Sequence, residues 1–283
     1  MAGRAGGRVV SRNRPAACVI TGFGINADEE LAQAFCRAGA EPSRVHVRDL
    51  IGDSKLLSRF RILAFPGGFS FGDHLGSGKV FATLFRRNLG GALADFIAGG
   101  GLVIGICNGF QVLVKMGVLP NLSGTGAQEA SLIHNDSGKF EDRWVKVRFE
   151  EASRCVWTRG LGEMELPVRH GEGKFIPRGP AEMEAFRAHG LIALRYAARG
   201  GSATDSAPVD YPDDPNGSEG HVAGLCDPTG RVFGLMPHPE AYMRPENHPD
   251  WTRLDRRELR AKERTGGEGL RILRNGVQAA LAR

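Results

Sequence analysis

A chain of 283 residues, 41% apolar and 24% charged, has the composition of an ordinary soluble globular protein with a sizeable core. No run approaches the roughly 18 consecutive apolar residues that cross a bilayer, and no signal-peptide pattern is visible, so a membrane role is not expected. The net charge of +5 sits mainly in residues 1–15, where Arg4, Arg8, Arg12 and Arg14 meet no acid. That segment reads as a disordered basic tail ahead of one domain over 16–283, and without a basic stripe interleaved with aromatics nucleic acid is not the expected partner.

In chain order, AACVITG (16–22) reads as a strand, and the helical spacing after it ends on Gly39. RVHVRDL (44–50) and FRILAFPGG (60–68) read as further strands. Lys79 to Ala98 reads as a helix interrupted near Gly90 and Gly91. GLVIGI (101–106) is a fourth strand, followed by a helix from Asn108 to Met116. Continuous apolar strands alternating with helices predict a parallel sheet covered on both faces. Beyond about Ser131 the pattern changes. WVKVRFE (144–150) alternates with period two, and LIALRYA, HVAGLCD and RVFGLMP follow between Gly, Pro and Asp clusters. A long polar loop spans 198–220, residues 253–264 read as a solvated helix face, and 268–282 closes the chain as an amphipathic helix. Together these predict one α/β domain with a mixed sheet.

Five scattered cysteines form no C-x-x-C pair, so no zinc or other metal site is expected, and reduced thiols fit a cytoplasmic protein. Two stretches imitate phosphate loops. GFGINA (22–27) fits the outline of a dinucleotide fingerprint, with Asp49 ending the next strand, but the pattern is short and unspecific. GSGKV (76–80) lacks the first glycine of a P-loop and has Val80 where a magnesium-binding hydroxyl belongs.

Cys107 carries a stronger signal. Strand, small-residue turn and helix are the parts of a nucleophile elbow, and Gly105 and Gly109 flank the cysteine at G-x-C-x-G spacing. A helix N-terminus there favours the thiolate. Such a nucleophile needs a base held by a third group. In MPHPEAY (236–242), His238 and Glu240 point the same way if Pro237 and Pro239 keep the segment extended, which gives a Cys–His–Glu set. FPGGFSFGD (65–73) follows the third strand. The amide of Gly68 or Phe69, with that of Asn108, is the expected oxyanion hole.

PGGFSFGD, GICNGFQ, HGEG, PNGS and MPHPE, in this order, resemble the class I glutamine amidotransferases. NDSGKFEDRWVKV (135–147) and GLRILRNGV (269–277) are similar to segments of a narrower family, the glutaminase subunit or domain of phosphoribosylformylglycinamidine synthase in purine biosynthesis. The likeness runs from about Ala16 to the C-terminus and implies a flavodoxin-like, mostly parallel mixed sheet with helices on both faces. It implies that Cys107 attacks the glutamine carboxamide, that His238 handles the protons and that Glu240 orients His238. By the same analogy Gln111, Gly72 and Asp73 contact glutamine, while His170, Glu172, Asn216 and Ser218 line a cleft facing a partner. Ala27 and Asp142 stand where family members often have Cys, and inserts near 198–207 and 245–265 look longer than in a minimal member. The resemblance places ATP and Mg²⁺ on a separate large synthetase chain, with no cofactor in this one, and leaves room for a small third subunit. A stand-alone γ-glutamyl hydrolase, a non-catalytic interaction domain of the same fold and a nucleotide-binding domain are the rival readings.

Overall fold

The computed structural model describes residues 14–199 and 209–282. Most of the expected basic tail, and most of the insert expected near 198–207, lie outside the described residues. The first half is a repeating strand–helix pattern. β1 (Ala16–Thr21) is followed by α1 (Asp28–Ala38), β2 (Glu41–His46), α2 (Val47–Gly52), β3 (Ile62–Phe65), α3 (Lys79–Ala98), β4 (Leu102–Ile106) and α4 (Asn108–Lys115). The second half holds β5 (Ala130–Ile133), β6 (Glu141–Phe149), β7 (Glu163–His170), β8 (Lys174–Pro177), α5 (Pro180–Ala188), β9 (Ile192–Ala197), β10 (Val222–Cys226), β11 (Val232–Leu235), α6 (Arg256–Thr265) and α7 (Leu270–Leu281).

Nine strands form one sheet in the order β2-β1-β3-β4-β11-β10-β9-β6-β7, and β5 pairs with β8 in a small ribbon. The five strands from β2 to β11 are parallel, and the rest of the large sheet is antiparallel. β1, β3 and β4 read as unbroken apolar runs because both faces are covered. The chain leaves β1 towards β2 and then returns past it to β3. Right-handed crossovers therefore put α1 on one face and α2 and α3 on the other. Such a reversal opens a crevice at the carboxyl ends of the strands, where ligands bind in open α/β sheets.

Local chemistry explains the ends. α1 opens on Asp28, Glu29 and Glu30, which suit the positive end of its dipole, and closes on Gly39 at φ 102°. Two expectations need correction, and one strand goes unread in the sequence. The strand expected over 44–50 stops at His46, whose ring accepts from the Arg48 amide and caps α2, so Asp49 is helical. α3 runs unbroken through Gly90 and Gly91. Burial of Phe81, Phe85, Leu89 and Leu93 at four-residue spacing offsets the roughly 1 kcal/mol that each glycine costs a helix. β7 is not legible in the sequence because Pro167 interrupts its pattern. It is an edge strand, where a missing N–H is tolerated.

Candidate active site

The elbow is built by close backbone approach. A Cβ on Gly109 would lie 1.9 Å from the Phe65 carbonyl oxygen, and one on Gly105 would lie 2.6 Å from the Gly109 oxygen. Only glycines let α4 rest directly on β3 and β4. Between them Cys107 is held at φ 52°, a costly conformation for a residue with a side chain. Its amide donates to Leu235 O at 2.8 Å, tying the turn to the neighbouring strand β11. The side chain is 5% exposed, and its thiol donates to the Arg169 carbonyl at 3.5 Å.

β11 delivers His238 to the same place. The His238 amide donates to Pro167 O at 2.8 Å, so the edge strand β7 anchors the base as well as the nucleophile. The segment after His238 is not extended as expected. Pro239–Ala241 is a 3-10 turn, closed by the Ala241 amide on His238 O. The turn still brings Glu240 Oε1 to 2.6 Å from His238 Nδ1, and the two side chains are almost wholly buried. Burial opposes charge on the imidazole, but Glu240 and then Cys107 outweigh it and raise His238 from 6.5 to about 10. Nε2 makes no hydrogen bond of ordinary geometry, although Cys107 is close enough to act on the ring. Gly67 shows how tight the meeting is. A Cβ there would lie 2.8 Å from His238 Cε1 and 3.6 Å from Cys107 Cβ.

Of the three expected oxyanion donors, the structure removes one. The Phe69 amide donates to Gly24 O at 2.7 Å, as part of a bridge between Ile25 and Gly68. The amides of Gly68 and Asn108 have no partner among the described residues. Side chains beneath them form a network. Asn108 Oδ1 accepts from the Ser70 amide at 3.3 Å, and its Nδ2 donates to Gln111 Oε1 at 2.9 Å and Asp73 Oδ1 at 3.4 Å. Phe71, Gly72 and Asp73 all have positive φ, which folds Asp73 back under Asn108 and onto the Gly78 amide. Burial raises the Asp73 carboxyl, and the Gly78 amide partly offsets this.

Gln111 does not fit the expected contact with substrate. It is 3% exposed, and its amide is engaged inside the protein, donating to Glu172 O at 2.5 Å while accepting from Asn108. It braces the elbow helix against the HGEG loop. Three of the four residues expected to face a partner are also turned inwards. His170 is 2% exposed, and its Nδ1 lies 3.1 Å from Asn135 Oδ1. That oxygen also accepts from the Gly173 amide, so the proton sits on Nδ1 and the buried Nε2 has a bare lone pair. Burial, and then the nearby His238, push His170 down to about 3 and keep it neutral. Asn216 Nδ2 donates to Gly173 O and Tyr196 Oη, and Ser218 Oγ accepts from the Phe175 amide. These two side chains hold the HGEG loop from behind. Glu172 reaches one open pocket, while the buried Asn216 and Ser218 lie in the wall of another.

Both phosphate-loop imitations have lost their donors. The Ile25, Asn26 and Ala27 amides of GFGINA donate to Gly22 and Gly67 carbonyls. In GSGK the Ser77 amide donates to Glu172 and the Gly78 amide to Asp73, so carboxylates already fill the mouth of α3. No metal-binding cluster of His, Cys, Asp or Glu occurs among the described residues, and no helix there is long and apolar enough to cross a membrane. Sequence reasoning assigns no individual role to Arg169 or Asn135. Arg169 pairs at 3.9 Å with Glu30, whose carboxyl is raised by burial and then by Glu240.

Residues 14–278 match the family of CobB/CobQ-like glutamine amidotransferase domains. A phosphoribosylformylglycinamidine synthase subunit PurQ from Dehalococcoides mccartyi is 40% identical over 257 residues, covering 91% of this chain and 94% of that protein. A PurQ subunit from Methanococcus maripaludis is 40% identical over 239 residues, covering 84% and 86%. Among solved structures, PurLQS from Thermotoga maritima superposes with a TM-score of 0.66 at 29% identity, over 94% of this chain and 98% of the matched one.

Proposed function

This chain belongs to the CobB/CobQ-like glutamine amidotransferase family, and from that premise we propose that it is the glutaminase subunit of a phosphoribosylformylglycinamidine synthase. The observation that carries the reading is Cys107, held at φ 52° on a glycine-lined elbow against a buried His238–Glu240 pair. Similarity to PurQ subunits along almost their whole length supports the narrower assignment.

The chemistry follows from the atoms. The Cys107 thiolate attacks the side-chain carboxamide carbon of glutamine. The carbonyl becomes an oxyanion, and the free Gly68 and Asn108 amides are the donors for it. His238, with its raised proton affinity, gives a proton from Nε2 to the nitrogen as the C–N bond breaks and ammonia leaves. The imidazole then takes a proton from water, which attacks the γ-glutamyl thioester and releases glutamate and the thiol. Glu240 keeps the ring oriented through Nδ1.

The ammonia goes to a separate ATP- and Mg²⁺-dependent synthetase, which converts formylglycinamide ribonucleotide to the amidine. The engaged amides of both phosphate-loop imitations support leaving ATP to that partner. The PurLQS complex supports a large synthetase and a small third chain as partners. All five cysteines are free thiols, which supports a reducing, cytoplasmic setting. The test is glutamine hydrolysis by the purified chain alone and after addition of the synthetase from the same organism. We expect stable association and faster hydrolysis in the complex. An unchanged rate without association would favour a stand-alone hydrolase.

A further inference from the structure

A second concave site lies on the far side of the Asp73–Glu172 network. It has a volume of about 770 Å³, within the usual range for small-molecule sites, and α3, the end of α4 and β5 form its walls. Lys79, Arg86, Arg87 and Lys115 line it. None of the four has an ion-pair partner among the described residues, whereas the arginines and the lysine of β6 and β9 are paired. This grouping does not follow from overall charge, because four of the five net positive charges belong to residues 1–15. The two acids in the wall do not neutralise it fully. Asp73 accepts from the Gly78 amide and Asn108, and Glu172 accepts from the Ser77 amide. Lys115 is half-buried, and burial holds its amine below the ordinary lysine value despite Glu172 and Asp73. A bound anion would relieve that penalty.

We propose that this pocket binds a phosphorylated small molecule. The four cations that line it exceed what the two wall carboxylates can neutralise, and the two arginines offer the forked donors that suit phosphate oxygens. Leu75 and Ile133, both exposed at the rim, give the rest of such a ligand an apolar contact. This site is distinct from the elbow, and its occupancy does not depend on the glutaminase reading.

Calorimetric titration of the full chain with AMP, ribose 5-phosphate and inorganic pyrophosphate tests it. At least one probe should bind saturably, and binding should weaken as salt rises. Arg86→Ser and Lys115→Met should each weaken it about tenfold with unchanged thermal melts, while Lys55→Met, on a distant surface, should not. Absence of saturable binding by all three probes at low salt would overturn the proposal, as would binding indifferent to Arg86 and Lys115. Loss of synthetase association in those variants, with no phosphate binding by the parent chain, would make the pocket a protein-docking surface and equally overturn it.

Discussion

Cys107→Ala is expected to lower glutamine hydrolysis by on the order of 10⁴-fold or more, because no other group near the elbow can form the thioester. The four other cysteines offer no substitute. Cys18, Cys155 and Cys226 are buried in the core, and Cys36 lies exposed on α1. The stability change should be small, since alanine keeps the Cβ and inherits the same positive φ. In the reconstituted complex the variant should still make product when ammonium salts replace glutamine. Product formation from glutamine at the parent rate would show that the nucleophile lies elsewhere. A lowered melting temperature matched by equal loss of both reactions would mean that Cys107 serves packing alone.

Gly109→Ala is expected to cause the largest structural effect of any single methyl group at the site. The added carbon would meet the Phe65 carbonyl oxygen at 1.9 Å and its carbon at 2.6 Å. These are backbone atoms of a central parallel strand, and no rotamer change moves them. α4 must therefore lift off β3, at a cost of about 1–3 kcal/mol or more. The same movement pulls the Asn108 amide and Cys107 away from His238, so activity should fall further than stability. Gly91→Ala is the internal comparison. Nothing lies within 4 Å of its would-be Cβ, so there the ordinary gain in helix propensity of about 1 kcal/mol should appear. Urea unfolding of both variants checks the pair. Equal midpoints would contradict the close-approach account of the elbow.

The parts of the site legible in the sequence are those whose chemistry is local. Gly105, Cys107 and Gly109 mark a turn because spacing alone dictates backbone approach, and the parallel half of the sheet shows in its unbroken apolar runs. The pairing of Cys107 with His238 depends on β4 and β11 being neighbours, which no local pattern encodes. Phe69 and Gln111 illustrate the limit more sharply. Whether an amide is free depends on what stands opposite, and the partners of these two, Gly24 O and Glu172 O, are distant in sequence. Asn216 and Ser218 look like exposed loop residues in PNGS. They are buried because the Gly173 carbonyl and the Phe175 amide find their partners in these two side chains. β7 stayed hidden behind Pro167, although its carbonyls hold both His238 and Cys107.

The central claim is that one buried thiol, and not the accessible one, is the nucleophile for a glutamine carboxamide. A diazo-ketone analogue of glutamine, followed by digestion and peptide mass spectrometry, tests this directly. A merely accessible thiol would react first at Cys36, which is exposed. The account predicts a single label on Cys107, slowed by glutamine and lost in His238→Gln. Labelling at Cys36 with Cys107 untouched, or labelling that glutamine does not slow, would contradict it.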